Sequence, residues 1–226
     1  MQFFSQDMDQ NKRMLYHALV VPVIIVILLC LVFALEYLGG YDFHSLGVYP
    51  REFKGMIGIL TMPFIHGDAK HLYANIIPIF VLTLFLYMAY RPNAHKVLIF
   101  VWIFTGVILW IIGRSSWHIG VSGIIYGLVC YLFFGGLAGN NRTSIAVALI
   151  VAFLYGGIIW YMIPIGIDNH ISWEGHLSGA ISGIIAAIIF RTKPNDDENS
   201  EKQEDEQDDV QYDWRDSDRT ESELPS

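Results

Sequence analysis

Six long, uninterrupted apolar runs are the feature that most constrains what this chain can fold into. A bilayer core about 30 Å thick is crossed by about 20 apolar residues in a helix, at about 1.5 Å of rise each. The runs are continuously apolar and lack the alternation of barrel strands, so we expect helices. The predicted spans are residues 18–38, 71–90, 97–112, 119–138, 144–167 and 171–190. The sequence therefore predicts an all-α membrane protein built as a bundle of six transmembrane helices.

The acidic residues are concentrated at the C-terminus. Residues 191–226 hold 5 Lys+Arg against 14 Asp+Glu, a net of −9, whereas the preceding 190 residues hold 9 against 8. With almost no aliphatic residues, residues 192–226 cannot bury a core, and we expect a disordered acidic tail. The body has no basic patch of the kind that binds nucleic acid. The predicted domains are an N-terminal segment (1–17), a six-span domain (18–191) and this tail (192–226).

Basic residues are unevenly distributed between the two ends of the predicted spans. The end that includes the N-terminus carries seven: Lys12, Arg13, Arg91, Lys96, Arg142, Arg191 and Lys193. The opposite end carries four: Arg51, Lys54, Lys70 and Arg114. Because cytoplasmic loops are enriched in Lys and Arg, we expect a multi-pass protein of the cell membrane with both termini in the cytoplasm. Residues 39–70 then form a long, half-apolar first outer loop, typical of an element at the membrane interface.

The first group of polar residues within a predicted span is Gly120-Val121-Ser122-Gly123. Polar groups in membrane helices are costly, which makes them candidates for function. The glycines allow a substrate carbonyl to approach the hydroxyl, next to backbone N–H groups exposed at a helix N-terminus. Taken alone the pattern is weak, because Gly and Ser are also ordinary packing residues in membrane helices. Tyr126 lies one turn further on and shares a face with Ser122.

The sixth predicted span opens with a histidine that is followed by small residues. His176, Gly179 and Gly183 lie on one stripe of a helix, and such a stripe lets another helix approach closely. The fourth span offers a matching stripe of glycines that begins at Gly123. Docking of the two stripes would bring His176 near Ser122. The alternative is a histidine that is hydrogen-bonded within the bundle and has no catalytic role.

A third group of polar residues stands at the start of the second predicted span. His71 and Asn75 are four residues apart, so they project from one face of a helix and could donate hydrogen bonds to an oxyanion. His66 lies before the helix, where it could cap or brace the loop. A zinc site is disfavoured because no carboxylate or thiol stands at a suitable spacing, and we expect no metal. His118 is an alternative base for Ser122, but we expect it in the loop before the fourth helix.

Together these residues resemble the motifs of the rhomboid family of intramembrane serine proteases. The motifs are His66-x4-His71-x3-Asn75 on the second span, Gly120-x-Ser122-Gly123 on the fourth and His176-x2-Gly179-x3-Gly183 on the sixth. Each motif is loose by itself, but three in this order on these spans are jointly specific. The resemblance extends over about residues 46–190.

This resemblance implies a rhomboid-like six-helix bundle and a serine endopeptidase that hydrolyses peptide bonds in or near transmembrane segments. Ser122 would be the nucleophile and His176 the general base of a dyad that forms an acyl-enzyme. His71, Asn75 and the Ser122 N–H would form the oxyanion hole, and Tyr126 would stack on the His176 ring. The resemblance implies no cofactor, and the expected partners are transmembrane protein substrates within the lipid bilayer.

Two loops have consequences for this interpretation. Many relatives carry a Trp-Arg pair in the first outer loop, where this chain has Gly58-Ile59-Leu60-Thr61. That difference concerns the anchoring of the loop rather than the chemistry. Residues 166–172, between the fifth and sixth spans, are expected to form a lid over a wet cavity.

Two other functions are alternatives to the protease. A non-catalytic rhomboid-like protein would bind membrane helices and assist their trafficking or degradation. A channel or transporter would be lined by the same polar residues, but the sequence lacks an inverted repeat and matching broken helices. Because both Ser122 and His176 are present, the protease is favoured.

Overall fold

α-Helices dominate the computed structural model, which describes residues 2–139, 142–157, 160 and 172–191. The α-helices are α1 (Gln2–Gly39), α2 (Gly58–Thr61), α3 (Ala69–Ala89), α4 (Ala94–Ile112), α5 (Ser122–Ala138), α6 (Arg142–Tyr155) and α7 (Trp173–Ile189). Short 3-10 helices cover His44–Leu46, Phe53–Gly55 and Met62–Phe64. The part of the chain that the structure describes has no β-strand, only a single antiparallel bridge between Val48 and His118. The predicted all-α fold is confirmed.

Within the described residues, three helices are long and apolar enough to cross a membrane. They are the segment Leu15–Gly39 of α1, then α3 and α4. Helices α5, α6 and α7 are also apolar but shorter, with 17, 14 and 17 residues. Large apolar side chains such as Leu38, Phe153 and Ile188 are exposed on the outside of the bundle, where lipid would cover them. The chain is therefore an all-helical membrane protein. The predicted tail and lid lie mostly outside the described residues.

Two helices begin at residues that differ from the prediction. Helix α1 begins at Gln2 rather than at residue 18, because residues 2–17 contain no Gly or Pro to interrupt it. Helix α5 begins at Ser122, where the Gly120-x-Ser122 pattern predicted a helix start, three residues after the first residue of the predicted span. Its start is delayed because Gly120 has a φ of 103°, which a right-handed helix cannot contain.

The closest helix packing is between α5 and α7, and glycines make it possible. A Cβ atom on Gly179 would overlap the carbonyl oxygen of Gly123, and one on Gly183 would overlap that of Gly127. The relation is mutual, because a Cβ on Gly123 would lie 3.0 Å from the Gly175 oxygen. Backbone therefore contacts backbone along the stripes that the sequence pattern predicted.

The segment between α1 and α3 is fastened to the rest of the bundle at several points. The backbone N–H of Val48 donates to the His118 carbonyl at 2.9 Å, and the His118 N–H donates back at 2.8 Å. The Trp102 indole donates to the Ile59 carbonyl at 3.2 Å. Gly58 packs directly on the backbone of Gly47, with no space for a Cβ.

Arg51 adds an anchor at the C-terminal end of α4. Its guanidinium donates to the carbonyls of Ile111 at 3.1 Å and Gly113 at 2.7 Å, and its backbone N–H donates to the Trp110 carbonyl at 3.0 Å. Its φ of 60° is unusual for a residue with a side chain, so these bonds offset a local backbone cost. Arg51, Trp102 and the Gly58 contact thus hold a loop that lacks the Trp-Arg pair of many relatives.

We predict that Gly179→Ala destabilises the bundle. The added methyl group collides with a carbonyl of α5, which cannot rotate away as a side chain could. Overpacking of this kind costs about 2 kcal/mol, which corresponds to roughly 5 °C of unfolding temperature for a chain of this size. Thermal unfolding of the purified protein in detergent measures the effect.

The matched control is Gly135→Ala, also within a helix of this bundle. A Cβ there would make an ordinary contact of 3.6 Å with the Tyr90 hydroxyl. Alanine also has the higher helix propensity, so stability should be unchanged or slightly increased. Equal unfolding temperatures for the two variants would contradict the close α5–α7 contact.

Candidate active site

The start of α5 holds Ser122 in a fixed position. The N–H of Gly120 donates to the Met62 carbonyl at 2.8 Å, which ties the preceding turn to the loop before α3. With φ at 103°, position 120 favours glycine, and a Cβ there would also lie 2.8 Å from Cε1 of His71. The His71 ring therefore lies directly against the backbone two residues before Ser122.

The first turn of α5 presents backbone N–H groups near the hydroxyl. Ser122 and Gly123 are its first two residues, so no preceding turn supplies carbonyl partners for their N–H groups. The residue before the helix, Val121, has no side chain that could cap them. Such groups favour a negative charge because they combine free donors with the positive end of the helix dipole.

His176 lies in the first turns of α7 and faces Ser122. Its Nε2 is 3.1 Å from the Ser122 Oγ, and only 8 % of the residue is exposed. The ring is stacked on that of Tyr126, with 4.2 Å between the centroids and 10° between the planes. The structure therefore brings together a hydroxyl, an imidazole and an aromatic plate from α5 and α7. A Ser–His pair at this distance has the geometry needed for an activated nucleophile.

His71 and Asn75 lie four residues apart near the N-terminal end of α3, so they share one face of the helix. Asp68 caps this helix by accepting the His71 N–H at 2.8 Å. The buried Asn75 amide donates to the His71 carbonyl at 2.9 Å, which leaves its second N–H for another acceptor. Both residues can therefore offer donors on the side of α3 where the His71 ring contacts Gly120.

His66 supports the His71 ring rather than capping α3, which Asp68 does. The two imidazoles meet edge to face, with centroids 5.0 Å apart. His66 is 1 % exposed, and neither of its ring nitrogens has a hydrogen-bond partner among the described residues. Burial, together with the neighbouring His71, lowers the pKa of His66 from 6.5 to about 4. The ring is therefore neutral at physiological pH.

His118 is hydrogen-bonded to residues other than Ser122 and joins two loops beside the site. Its Nδ1 is 2.6 Å from the Ser172 hydroxyl and its Nε2 is 3.1 Å from the Arg114 carbonyl. Burial lowers the pKa of His118 below its usual value. Glu174 points towards Arg114, with 3.7 Å between Oε1 and Nε. The contacts of His118 and Glu174 are therefore with Ser172 and Arg114.

The sequence interpretation missed Ser172, which caps α7. Its hydroxyl accepts the Gly175 N–H at 3.2 Å and its carbonyl accepts the His176 N–H at 3.3 Å. A serine immediately before an apolar helical run is a recognisable N-cap signal. The same signal identifies Asp68 before α3.

The space around the Ser122 hydroxyl is small. A cavity of about 10 Å³, room for about one water, is lined by Met62, Ile119, Ser172 and other residues of the site. The predicted lid, residues 166–172, lies outside the described residues except for Ser172. The described part of the chain contains no group of three or more His, Cys, Asp or Glu side chains that could hold a metal ion.

We predict that His66 makes stability depend on pH. In the unfolded chain its pKa is about 6.5, so between pH 6.5 and 4 the unfolded state binds a proton that the folded state excludes. The free energy of unfolding therefore decreases as the pH is lowered from 6.5 to 4, by about 3 kcal/mol in total. Thermal unfolding in detergent at a series of pH values measures the slope.

His66→Phe should flatten this slope, because the ring shape is kept and the titrating group is removed. His44→Gln alters an exposed histidine of the preceding loop and should leave the slope as in the wild type. A His66→Phe protein with an unchanged slope would show that another group is responsible.

Comparison with known proteins identifies the family. A family model for the Rhomboid domain matches residues 54–193, more than half of the chain. An uncharacterized protein of Mycobacterium tuberculosis (strain ATCC 25618 / H37Rv) is 34% identical over 163 residues, which cover 69% of this chain and 68% of that protein. One of Mycobacterium leprae (strain TN) is 34% identical over 188 residues, covering 79% and 74%.

A more distant relative carries the family name. This protein of Acanthamoeba polyphaga mimivirus, named as a rhomboid protein, is 28% identical over 131 residues, which cover 56% of this chain and 70% of its own length. The Rhomboid match begins in the loop before α2 and continues past the end of α7, so it includes all three motifs. The chain belongs to the rhomboid family, a family of intramembrane proteases.

Proposed function

We propose that this chain is a serine-type intramembrane endopeptidase whose catalytic dyad is Ser122 and His176. The observation that carries the proposal is the 3.1 Å separation between the Ser122 Oγ and the His176 Nε2. The stacking of Tyr126 on the imidazole supports it, because a fixed ring keeps Nε2 directed at the hydroxyl. A purely structural histidine would not need this alignment with a hydroxyl at a helix N-terminus.

The first half of the reaction forms an acyl-enzyme. Ser122 Oγ attacks the carbonyl carbon of the scissile peptide bond, while the neutral imidazole of His176 takes the hydroxyl proton at Nε2. The carbonyl oxygen becomes an oxyanion, and His71, Asn75 and the Ser122 N–H donate hydrogen bonds to it. The C–N bond then breaks, and His176 returns the proton to the leaving amine.

The second half releases the product. A water molecule gives one proton to His176 and attacks the acyl carbon, and the same donors hold the oxyanion. When the ester bond breaks, the proton returns from His176 to Ser122, which restores the starting dyad. The roughly one-water cavity beside Ser122 is where this water would be held.

The proposed arrangement in the membrane follows from the helices and the basic residues. Helices α1, α3 and α4 are the first three spans, and α5, α6 and α7 are the fourth, fifth and sixth. The 17-residue α5 reaches about 25 Å, so it can cross most of the bilayer from a start below the outer surface. Both termini lie in the cytoplasm of a cell-membrane protein, and substrates are transmembrane segments that unwind near their outer ends.

We predict that Ser122→Ala and His176→Ala each abolish hydrolysis of a model transmembrane substrate. The first removes the nucleophile and the second removes the base, and losses in such dyads exceed about 10³-fold. Gel analysis of substrate reconstituted with the enzyme in liposomes measures cleavage. Labelling by a fluorophosphonate should be lost in the same two variants.

Ser182→Ala is the matched control. Ser182 is another buried serine of this helix pair, but its hydroxyl donates to the Ser178 carbonyl and does not face the dyad. Cleavage and labelling should both persist in this variant. Unchanged cleavage in Ser122→Ala and His176→Ala would favour a non-catalytic helix-binding protein.

A second prediction concerns the oxyanion hole. Asn75→Ala and His71→Ala should each lower kcat by about 10²- to 10³-fold, because each removes a donor to the charge that develops in the transition state. KM should change much less than kcat. Full turnover in the double variant would show that the donors have been assigned incorrectly.

A further inference from the structure

A large cavity lies at the opposite end of the bundle from the candidate active site. It has a volume of about 530 Å³ and is formed where α1 passes the end of α3 and the start of α4. Tyr87, which lines it, lies sixteen residues after His71 on α3, a distance of about 24 Å along the helix axis. The cavity is therefore separate from the Ser122 site and near the other end of a membrane-spanning helix.

The polar wall of this cavity is basic. It includes Arg91, His95 and His17, and the lining residues that the structure describes contain no Asp or Glu. The guanidinium of Arg91 is exposed and has no ion-pair or hydrogen-bond partner among the described residues. An unpaired guanidinium is a planar donor that suits phosphate oxygens.

A hydrogen bond fixes the orientation of His95. The Tyr87 hydroxyl lies 2.6 Å from the His95 Nδ1, and the two rings meet edge to face at 4.9 Å. When the tyrosine donates to Nδ1, the Nε2 of the imidazole carries its proton and is a donor. His95 also lies in the first turn of α4, whose Asn93 makes no side-chain cap, so the helix dipole adds to the attraction for an anion.

The other wall is apolar and is formed by a segment of α1 that can cross a membrane. Val20 and Val21 line the cavity from α1, within the segment Leu15–Gly39 that can cross a bilayer. A ligand that fits both walls needs a negatively charged head and a hydrocarbon part that continues along α1. Anionic phospholipids have this chemistry, and they are present at the ends of membrane-spanning helices.

We propose that this cavity binds an anionic phospholipid, with the phosphate between Arg91 and His95 and an acyl chain along Val20 and Val21 of α1. The proposal does not depend on the protease chemistry, because no residue of the dyad or the oxyanion hole lines the cavity. It predicts a preference for phosphatidylglycerol over the zwitterionic phosphatidylcholine.

Native mass spectrometry of the full-length protein tests it. The protein in mild detergent is titrated with phosphatidylglycerol or phosphatidylcholine of identical acyl chains, and the apparent Kd of the first bound lipid is measured. We expect phosphatidylglycerol to bind at least about fivefold more tightly, the contribution of roughly one basic group at a membrane surface. Arg91→Gln should remove most of this preference, and Arg91→Lys should retain more of it.

Arg142→Gln is the matched control, since Arg142 is a basic residue at the start of α6 and does not line the cavity. It should keep the wild-type preference. Glycerol 3-phosphate, which has the head group without acyl chains, should fail to displace phosphatidylglycerol; its success would indicate a site for free phosphate and overturn the lipid proposal.

Three other results would also overturn it. The first is equal affinity of the wild type for the two lipids, and the second is equal losses in Arg91→Gln and Arg142→Gln. The third is a wild-type chain that holds neither lipid, as would happen if another anionic group filled the cavity. Each readout is lipid binding alone, so the result is independent of whether Ser122 is catalytic.

Discussion

The close contact between α5 and α7 is the constraint on which the rest of this structure depends. Without a hydrophobic driving force between helices in lipid, the helices associate through close packing, and glycines allow backbone to touch backbone. Gly123 against Gly179 and Gly127 against Gly183 fix both the separation and the rotation of the two helices. The Ser122–His176 distance follows from that register.

Polar groups are tolerated inside this apolar bundle because most of them have hydrogen-bond partners. An unsatisfied polar group in hydrocarbon costs several kcal/mol, and here most buried polar groups of α7 bond within the helix or across the site. Ser178 and Ser182 donate to carbonyls one turn earlier, whereas His176 is directed at Ser122. His66 differs, because its buried ring has no described hydrogen-bond partner and is kept neutral instead.

Much of the fold and the arrangement of the candidate site could be predicted from the sequence, because both depend on short, local patterns. Apolar runs specify helices, and small residues at every fourth position specify which helices touch. Residues that act through tertiary contacts carry no such pattern. Arg51 illustrates this. Its guanidinium can donate to the carbonyls of Ile111 and Gly113 only because its loop approaches the end of α4. The apolar run that predicted the fourth span begins at residue 119, three residues before α5, because an apolar pattern does not reveal the positive φ of Gly120.

The loop between α1 and α3 is anchored by contacts of several residues rather than by one Trp-Arg pair. The Val48–His118 bridge joins the loop between α1 and α3 to the turn before α5, and the His118 ring joins that turn to Ser172 at the start of α7. These links lie outside the α5–α7 contact. They connect the N-terminal ends of α5 and α7, which carry Ser122 and His176. Widening that contact would separate Ser122 from His176, so in the proposed protease a peptide gains access by displacing other walls of the small cavity. The Met62 side chain is one of these walls, and its backbone carbonyl, which accepts the Gly120 N–H, can stay in place when the flexible side chain moves.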